Sequence, residues 1–388
     1  MPFCHTKCGY CDFYSLPTRP ELIEGLVEAI RREIRQRDPG RPVRSIFVGG
    51  GTPTVLPPNA LEAVLSAIPK GHDGRSFEFT VEANPSSADE LKLELLRRGG
   101  ANRISFGAQS FHADDLAALE RLHDPAQIPE AVRLARTAGF GNVNIDLIFG
   151  VPGQTTARWL DSLRRAIDLG VEHISCYALT YEEGTSLTKR LRAGRVTPID
   201  EEVDAAMFEQ TIDVLTDAGF EHYEISNFAR PGRRCEHNLI YWRNEEYVGV
   251  GPSAVSYVDG VRRKNVPDVK RYIDAVLHGA DGLVFETEQL DAEARACETA
   301  IQWLRLLDGI EIGEFHRATG FDPLALFHDA IERFVSSGHL EVAADQVRLT
   351  RRGLPVANVV MREFLAGDGE PDRAGSPFTT VSLHVSPS

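Results

Sequence analysis

Three cysteines in the first eleven residues are the part of this 388-residue chain best suited to chemistry. They follow the pattern Cys4-x3-Cys8-x2-Cys11 on one short stretch. Structural zinc takes four Cys or His ligands, and His5 is adjacent to Cys4, where it is poorly placed to bind the same tetrahedral ion. Iron–sulfur clusters as a rule take four cysteines, so three leave one iron open to another ligand. The spacing therefore favours an iron–sulfur cluster, with zinc or a reactive thiol as the remaining alternatives.

Helical and strand patterns alternate from residue 20 to about 220. The elements that they predict must position the cysteine loop. The helical segments carry apolar residues at helical spacing, as in 21–37 and 157–170. The strand segments read as apolar throughout, and each is followed by Gly or polar residues; they are 45–50, 77–82, 103–109, 142–150 and 173–180. Such repeated βα units predict a parallel sheet or barrel.

The carboxyl ends of these strands read GGGTPT, EANP, GAQSF, DLIFGVPGQT and ALTYEEGT. Ligands bind at this edge of parallel sheets and barrels. A single polar residue at a strand end is most often part of a turn or a helix cap. Because five such ends meet on one face, we expect the active face at the carboxyl ends of the strands.

The chain changes character after the βα units, and four segments are predicted. Residues 1–220 form the barrel, and 221–290 form a glycine- and aromatic-rich lobe of irregular structure. Residues 291–366 read as helix, helix, hairpin and helix, which predicts a small winged-helix-like α+β domain. The tail, 367–388, is rich in Gly, Pro and Ser and is predicted to be disordered.

Composition narrows the function classes. The chain has 42 basic and 57 acidic residues, and its net charge of −15 argues against nucleic acid as a partner. No run of about eighteen apolar residues occurs, so no membrane span is predicted. The Cys-rich start lacks the apolar core of a secretory signal, and clustered cysteines fit a reducing compartment. The protein is expected to be cytoplasmic.

The segment CHTKCGYC resembles the CxxxCxxC loop of the radical S-adenosylmethionine (SAM) superfamily, including an aromatic residue, Tyr10, before the third cysteine. In that superfamily three cysteines hold a 4Fe-4S cluster, and SAM chelates the fourth iron. The resemblance therefore implies that Cys4, Cys8 and Cys11 are cluster ligands. It also implies that the fold is a partial (β/α)6 barrel of the TIM type.

Further motifs along the chain resemble SAM-contacting positions of the coproporphyrinogen III oxidase-like family within that superfamily. The GGGTP segment resembles the motif whose backbone meets the methionine end of SAM, where a side chain would block close approach. The resemblance implies SAM contacts from Gly50, Gly51, Thr52, Glu82, Gln109, Arg121, Asp146 and Ala178. No catalytic residue is assigned.

Two features separate the dehydrogenases of this family from its haem chaperones. The dehydrogenases carry a fourth cysteine two residues after the third, where this chain has Phe13. Residues 237–242 read HNLIYW and match HNxxYW, a signature of the chaperone group. The resemblance implies haem binding with His237 as axial ligand and Cys235 as its rival, and with the two aromatic residues of the motif over a porphyrin face.

The expected function is that of a haem chaperone with a 4Fe-4S cluster, SAM and haem as its cofactors. It would bind haem and deliver it to apo-haemoproteins, and a homodimer is left open. The alternative is an oxygen-independent coproporphyrinogen III dehydrogenase, which decarboxylates porphyrinogen propionates by radical chemistry. The absence of the fourth cysteine argues against this alternative.

Two departures from the family pattern affect these expectations. Members normally have a strand ahead of the cysteine loop, whereas here only Met-Pro-Phe precedes Cys4. A barrel without its first strand exposes a sheet edge, so we expect the natural start to lie upstream. In GVGPSAVSY, Ser253 and Val255 stand where the family often has Gly and His.

Overall fold

The computed structural model describes residues 1–38, 40, 42–69 and 77–365. The tail for which disorder is predicted, 367–388, lies outside the described residues. No described helix has the length and apolarity that crossing a membrane would require.

The strands of the described residues form four sheets. In chain order they are β1 (Phe3–Cys4), β2 (Leu16–Pro17), β3 (Ser45–Val48), β4 (Glu78–Ala83), β5 (Arg103–Gln109), β6 (Val143–Phe149), β7 (His173–Ala178), β8 (Glu221–Glu224), β9 (Asn227–Ala229), β10 (Val255–Val258), β11 (Val261–Asn265), β12 (Val284–Gln289), β13 (Ile310–Glu311), β14 (Leu340–Ala343) and β15 (Gln346–Leu349). The largest sheet has seven strands in the order β3-β4-β5-β6-β7-β9-β8.

The helices connect these strands, and several begin at side-chain caps. In chain order they are α1 (Pro20–Arg37), α2 (Pro58–Ala67), α3 (Glu90–Arg98), α4 (Ala113–Ala118), α5 (Gln127–Thr137), α6 (Thr156–Asp168), α7 (Ser186–Arg192), α8 (Glu201–Asp217), α9 (Glu236–Trp242), α10 (Val269–His278), α11 (Ala292–Trp303), α12 (Ile312–Thr319), α13 (Pro323–Leu326), α14 (His328–Ser336) and α15 (Ala357–Arg362). Asp89, Thr155 and Asp200 accept backbone N–H bonds at the starts of α3, α6 and α8.

The predicted parallel sheet is confirmed, and it curls into a half-barrel. Its five parallel strands, β3 to β7, are the five strand segments predicted from the sequence. Strands β9 and β8 continue the sheet in the antiparallel direction. The sheet therefore extends past residue 220, where the sequence placed the end of the barrel.

The reading of these strands as apolar throughout is wrong, because their side chains alternate between two faces. In β4, Phe79 and Val81 belong to the hydrophobic core, whereas Glu78, Thr80 and Glu82 are buried on the other face. Buried polar residues continue this inner face on the next three strands: Arg103, Ser105, Asn144, Asp146, His173 and Ser175. The half-barrel is therefore lined with groups that must pair with one another or with a ligand.

The first residues of the chain lie against the carboxyl end of β3. The Met1 amino group donates to Gly49 O at 2.7 Å, and Gly51 N donates to Met1 O at 2.6 Å. Thr52 N donates to Phe3 O at 2.8 Å, and the Phe3 ring is buried in the core. These bonds hold β1, and with it the first cysteine, beside the glycine-rich turn.

The segment after the main sheet is more regular than predicted. Strands β10, β11 and β12 form an antiparallel sheet, and α10 packs against α1. Beyond it, β13, β15 and β14 form a second antiparallel sheet with helices α11 to α15 around it. A small α+β domain therefore follows the barrel, as predicted, although the second helix of that prediction is split into α13 and α14.

Candidate cluster and cofactor site

The loop that carries the three cysteines is closed at its base by backbone hydrogen bonds. Leu16 N donates to Pro2 O at 2.8 Å, and Thr18 N donates to Cys4 O at 2.9 Å. Within the loop, Cys11 N donates to Cys8 O at 3.2 Å. Because β1 and β2 pair in parallel, the eleven residues between them project as one compact loop.

The thiols of this loop are partly buried and have polar neighbours. Thr52 Oγ1 lies 3.6 Å from Cys4 Sγ, and Arg121 Nη1 lies 3.6 Å from Cys8 Sγ. Burial raises the pKa of Cys4 and raises that of Cys11 to about 11. A metal that binds here must therefore displace thiol protons. Among the described residues, no three His, Cys, Asp or Glu side chains converge closely enough to hold a single metal ion.

The glycine-rich turn after β3 leaves no space for side chains. Gly50 has a φ of 102°, and its N–H donates to Glu82 Oε2 at 3.0 Å. A Cβ at Gly49 would lie 2.4 Å from the Glu82 carboxylate, and one at Gly51 would lie 2.6 Å from Phe3 O. The sequence therefore folds this turn against both the cysteine loop and β4, with bare backbone at the strand end.

The ends of β4 and β5 carry groups in unusual states. Burial raises the pKa of Glu82 to about 8, so its carboxyl is largely protonated at neutral pH. Gln109 ends β5 at a register shift with a φ of 65°, a conformation that costs a non-glycine residue free energy. Its Oε1 is buried and has no hydrogen-bond partner. Glu82 and Gln109 therefore fit the edge of a ligand site, where a ligand would supply the hydrogen-bond partner that Gln109 Oε1 lacks.

Arg121 and Ala178 complete this edge from two further elements. Arg121 follows α4, is partly buried, and places one guanidinium nitrogen beside Cys8 and the other on Gly107 O. Its Nε lacks a hydrogen-bond partner. Ala178 is the exposed last residue of β7 and lines the neighbouring cavity.

Asp146 faces the interior of the half-barrel rather than its rim. It is the fourth residue of β6 and is fully buried, and both of its oxygens are occupied. Asn144 Nδ2 donates to Oδ1 at 2.7 Å, and Ser105 Oγ donates to Oδ2 at 2.9 Å. Burial raises the pKa of Asp146 to about 6 despite these bonds.

A cavity of about 590 Å³ opens beside the cysteine loop. Its wall includes Tyr10, Cys11 and Phe13 from the loop, and residues 176–182 from the end of β7 and the turn after it. Helix α8 and residues 354–358 of the C-terminal domain close the opposite side. The cavity is therefore shared between the barrel and the small domain, and it is large enough for an organic cofactor.

The residues present fit the cofactors that the resemblance implies. The orphaned Gln109 Oε1 and the orphaned Arg121 Nε lie at the same rim as the three thiols, beside the glycine turn, whose backbone groups are bonded to Met1 and Glu82. Unsatisfied buried polar atoms are rare in folded proteins, and two of those in the described residues, Gln109 Oε1 and Arg121 Nε, lie where a ligand is expected. Thus six of the eight SAM positions named from the sequence lie at the carboxyl ends of strands or just beyond them, Arg121 reaches the rim from the end of α4, and Asp146 lies below them.

His237 lies at the opposite end of the half-barrel. Its Nδ1 is 2.8 Å from the Oγ of Ser45, the first residue of β3, and its ring stacks on Phe47 at 4.9 Å. The five residues from Ser45 to the glycine turn span about 13 Å, so His237 does not share the rim with the thiols. Burial lowers the pKa of His237 to about 4, which leaves the imidazole neutral at physiological pH.

The other residues that the resemblance links to haem differ in their exposure to solvent. Tyr241 is 36% exposed, and its hydroxyl is 3.0 Å from His237 Nε2. Trp242, expected over a porphyrin face, is instead buried, with Arg305 stacked on it at 4.3 Å. Cys235, the rival ligand, is also buried, and its thiol donates to Glu78 Oε1 at 3.3 Å.

Sequence reasoning missed the residues that hold His237 in place. Glu78 accepts hydrogen bonds from the Cys235 thiol and from the backbone N–H groups of Glu236 and His237. Tyr223 accepts the N–H of Cys235 at 3.2 Å. The missed signal was the alternation in FEFTVE, where every second residue is polar, because a buried polar face predicts internal pairing.

Comparison with known proteins identifies two family models along the chain. Residues 1–166 match the radical SAM superfamily, and residues 290–356 match the HemN C-terminal domain. The solved structure of Escherichia coli coproporphyrinogen III oxidase (HemN), a radical SAM enzyme, superposes with a TM-score of 0.80 at 22% identity. That match covers 94% of this chain and 88% of the other, and it shows the fold.

Proteins called "Heme chaperone HemW" are similar over almost the whole chain. The one from Lactococcus lactis is 32% identical, over 95% of this chain and 96% of its own length. The one from Bacillus subtilis is 34% identical, over 94% of this chain and 97% of its own length. The one from Escherichia coli is 33% identical, with the same coverage of 94% and 97%.

Proposed function

The chain belongs to the HemW family of the radical SAM superfamily, and we propose that it is a cytoplasmic haem chaperone that binds haem and delivers it to apo-haemoproteins. The observation that carries this proposal is the environment of His237. Its imidazole is neutral, Ser45 orients Nδ1, and Nε2 lies 3.0 Å from the hydroxyl of the exposed Tyr241. A neutral imidazole oriented through its other nitrogen is suited to bind haem iron.

The same proposal assigns the other cofactors to the carboxyl end of the half-barrel. Cys4, Cys8 and Cys11 would hold a 4Fe-4S cluster, and SAM would occupy the rim formed by the glycine turn, Glu82 and Gln109. A cluster with an open iron supplies electron transfer and binds a chelating ligand when it is present. Arg121, beside Cys8, would balance the negative charge of the thiolates.

The charge of the cavity argues against coproporphyrinogen as a substrate. Four carboxylate residues line the cavity: Asp12, Glu182, Glu201 and Asp204. The basic residue in its wall, Arg305, already pairs with the buried Glu224 at 3.4 Å. A porphyrinogen carries several propionates, and like charges repel most strongly in a partly buried site. The apolar Phe13, in place of a fourth thiol, supports the same reading.

Anaerobic reconstitution of the cluster followed by haem titration tests the proposal. We expect the wild-type protein to bind one haem and to pass it to an apo-haemoprotein, as followed by the haem absorbance of the acceptor. His237→Ala should weaken haem binding by about tenfold or more, because an axial bond is lost. His328→Ala is the matched control, since this imidazole lies on the surface with 69% of its side chain exposed.

Two results would overturn the proposal. One is a reconstituted protein that binds no haem, and the other is a His237→Ala variant that binds haem as the wild type does with an unchanged spectrum. Anaerobic conversion of coproporphyrinogen III to protoporphyrinogen would instead favour the dehydrogenase alternative.

A further inference from the structure

A continuous chain of buried hydrogen bonds joins Asp146 to the helix that carries His237. Asn144 Nδ2 donates to Asp146 at 2.7 Å, and Asn144 Oδ1 lies 2.6 Å from His173 Nδ1. His173 Nε2 lies 2.8 Å from the hydroxyl of Tyr223, which accepts the N–H of Cys235 at 3.2 Å. Every one of these side chains is at most 2% exposed.

The direction of each hydrogen bond in this chain follows from the donors available. Asn144 uses both amide hydrogens, one on Asp146 and one on Ser105 Oγ at 2.7 Å, so its Oδ1 must accept. His173 is therefore protonated on Nδ1, and its Nε2 accepts from the hydroxyl of Tyr223. Burial keeps the pKa of His173 well below its usual range, so the ring carries only this one proton. No link can reverse alone without leaving a buried polar group unpaired.

The far end of the chain fixes the start of α9. The N–H of Cys235 is held by Tyr223, and the next two N–H groups along the backbone are held by Glu78 at 2.9 and 3.3 Å. These bonds position the first turn of α9 and therefore the imidazole of His237. A shift of the Tyr223 hydroxyl changes one of the three hydrogen bonds that hold this turn.

The near end of the chain is the carboxylate of Asp146, which buried neighbours already hold. Both oxygens of Asp146 are engaged by Asn144 and Ser105. Each carboxylate oxygen can accept a second hydrogen bond, so a ligand hydroxyl that donates to Asp146 joins those donors and changes the geometry of the bond from Asn144. A change at Asp146 is transmitted along the chain, because Asn144, His173 and Tyr223 each have a fixed role as donor or acceptor.

We infer that His173 and Tyr223 couple the SAM site to haem binding at His237, so that SAM occupancy changes haem affinity and haem changes SAM affinity by the same factor. This inference rests on the proposed function. His173 and Tyr223 act as positioning residues, since they contact neither cofactor. The coupling needs no movement of the barrel, only a rearrangement of a buried network that ends at α9.

The test is a haem titration of the cluster-reconstituted protein with and without saturating SAM. We expect SAM to change the haem Kd of the wild type by about fivefold or more, within the usual range of coupling between sites. Tyr223→Phe removes the hydroxyl that links His173 to Cys235, and we expect it to reduce the SAM effect to less than about twofold. The haem absorbance spectrum of this variant should also cease to respond to SAM.

Tyr257→Phe is the matched control, because this buried tyrosine lies on β10, outside the hydrogen-bonded chain. It should keep the full effect of SAM. If Tyr223→Phe does not fold, His173→Gln interrupts the same chain and serves the same test. A second measurement uses the wild type alone. The factor by which haem changes the SAM Kd must equal the factor by which SAM changes the haem Kd.

Equal haem affinity with and without SAM in the wild type would overturn the inference and leave the haem chaperone proposal standing. A Tyr223→Phe or His173→Gln protein that retains the wild-type factor would overturn it as well. If the wild type binds no haem under either condition, the proposed function and this inference both fail.

Discussion

The two ends of the half-barrel handle their polar groups in opposite ways. At the carboxyl end, Gln109 Oε1 and Arg121 Nε are buried without partners, and Gln109 is held at a positive φ. At the amino end, Glu78 alone accepts hydrogen bonds from four groups on two segments: Thr80, Cys235, Glu236 and His237. The carboxyl end combines strain with unpartnered groups, whereas Glu78 at the amino end gathers four donors, although Arg103 Nε at that end has no hydrogen-bond partner.

This difference indicates where binding free energy and folding free energy are concentrated. Unpaired buried groups cost stability in the free protein and can be recovered when a ligand binds. Paired groups stabilise the free protein and set the geometry of what they hold. Substitutions at the carboxyl end should therefore change ligand binding, and substitutions at the amino end should change stability and the haem spectrum.

The largest expected effect is at the cysteine loop. Cys8→Ala should abolish the 4Fe-4S cluster, because the loop then offers only two thiolates to the irons. Iron and sulfide analysis after anaerobic reconstitution measures it. Cys297→Ala removes a buried thiol of α11 and should leave the cluster content unchanged. A cluster that survives in Cys8→Ala would contradict the ligand assignment.

At the amino end, Glu78→Ala should lower the free energy of unfolding by about 3 kcal/mol, since several buried donors lose their acceptor at once. Urea unfolding of the cluster-free protein measures this. Glu341→Ala breaks the surface ion pair with Arg348 and should cost less than about 1 kcal/mol. A Glu78→Ala protein as stable as this control would show that the paired end does not stabilise the fold.

The two ends should also differ in how stability depends on pH. Burial raises the pKa of Glu82 from 4.5 to about 8, so its contribution to stability is complete below about pH 4.5 and is lost as pH rises through 8. Glu82→Gln cannot ionise, and from about pH 6 to about pH 9 it should gain roughly 2 kcal/mol relative to the wild type. Urea unfolding at both pH values checks this, and an equal difference at both would refute it.

His237 predicts the opposite sign at the amino end. Because burial lowers the pKa of His237 to about 4, its contribution to stability is complete above about pH 6.5 and declines as pH falls toward 4. The same unfolding series, extended to lower pH with His237→Gln, should show that the variant is less sensitive to acid than the wild type.

The smallest effects compare two residues at positive φ. Gln109→Gly should weaken SAM binding by about tenfold, the loss of one buried hydrogen bond, while leaving stability unchanged or raised. Ser253 also has a positive φ, 61°, at the position where the family often has Gly. Ser253→Gly should raise stability by about 1 kcal/mol and leave SAM affinity unchanged. If both variants behave alike, the strain at Gln109 is not related to binding.

The order of the elements and the location of the cluster loop could be predicted from the sequence. Helical and strand periodicity are local properties, so β3 to β7 and the helices α1 and α6 were found close to their observed bounds. The spacing of Cys4, Cys8 and Cys11 is equally local. Glycine at 49–51 indicated close approach, and the structure shows what approaches: the Glu82 carboxylate and the backbone of Met1 and Phe3.

Only the tertiary structure decided how distant polar residues pair inside the half-barrel. His173 meets Asn144 and Tyr223, and Glu78 meets the start of α9, across separations of 29, 50 and more than 150 residues. It also placed His237 at the end opposite the thiols and buried Trp242 beneath Arg305. Periodicity records which face of a strand is buried, but pairing across that face depends on the curvature of the sheet and on which segment fills its interior. For that reason the sequence determined the elements and the cluster loop, and the fold determined the connection between the two ends.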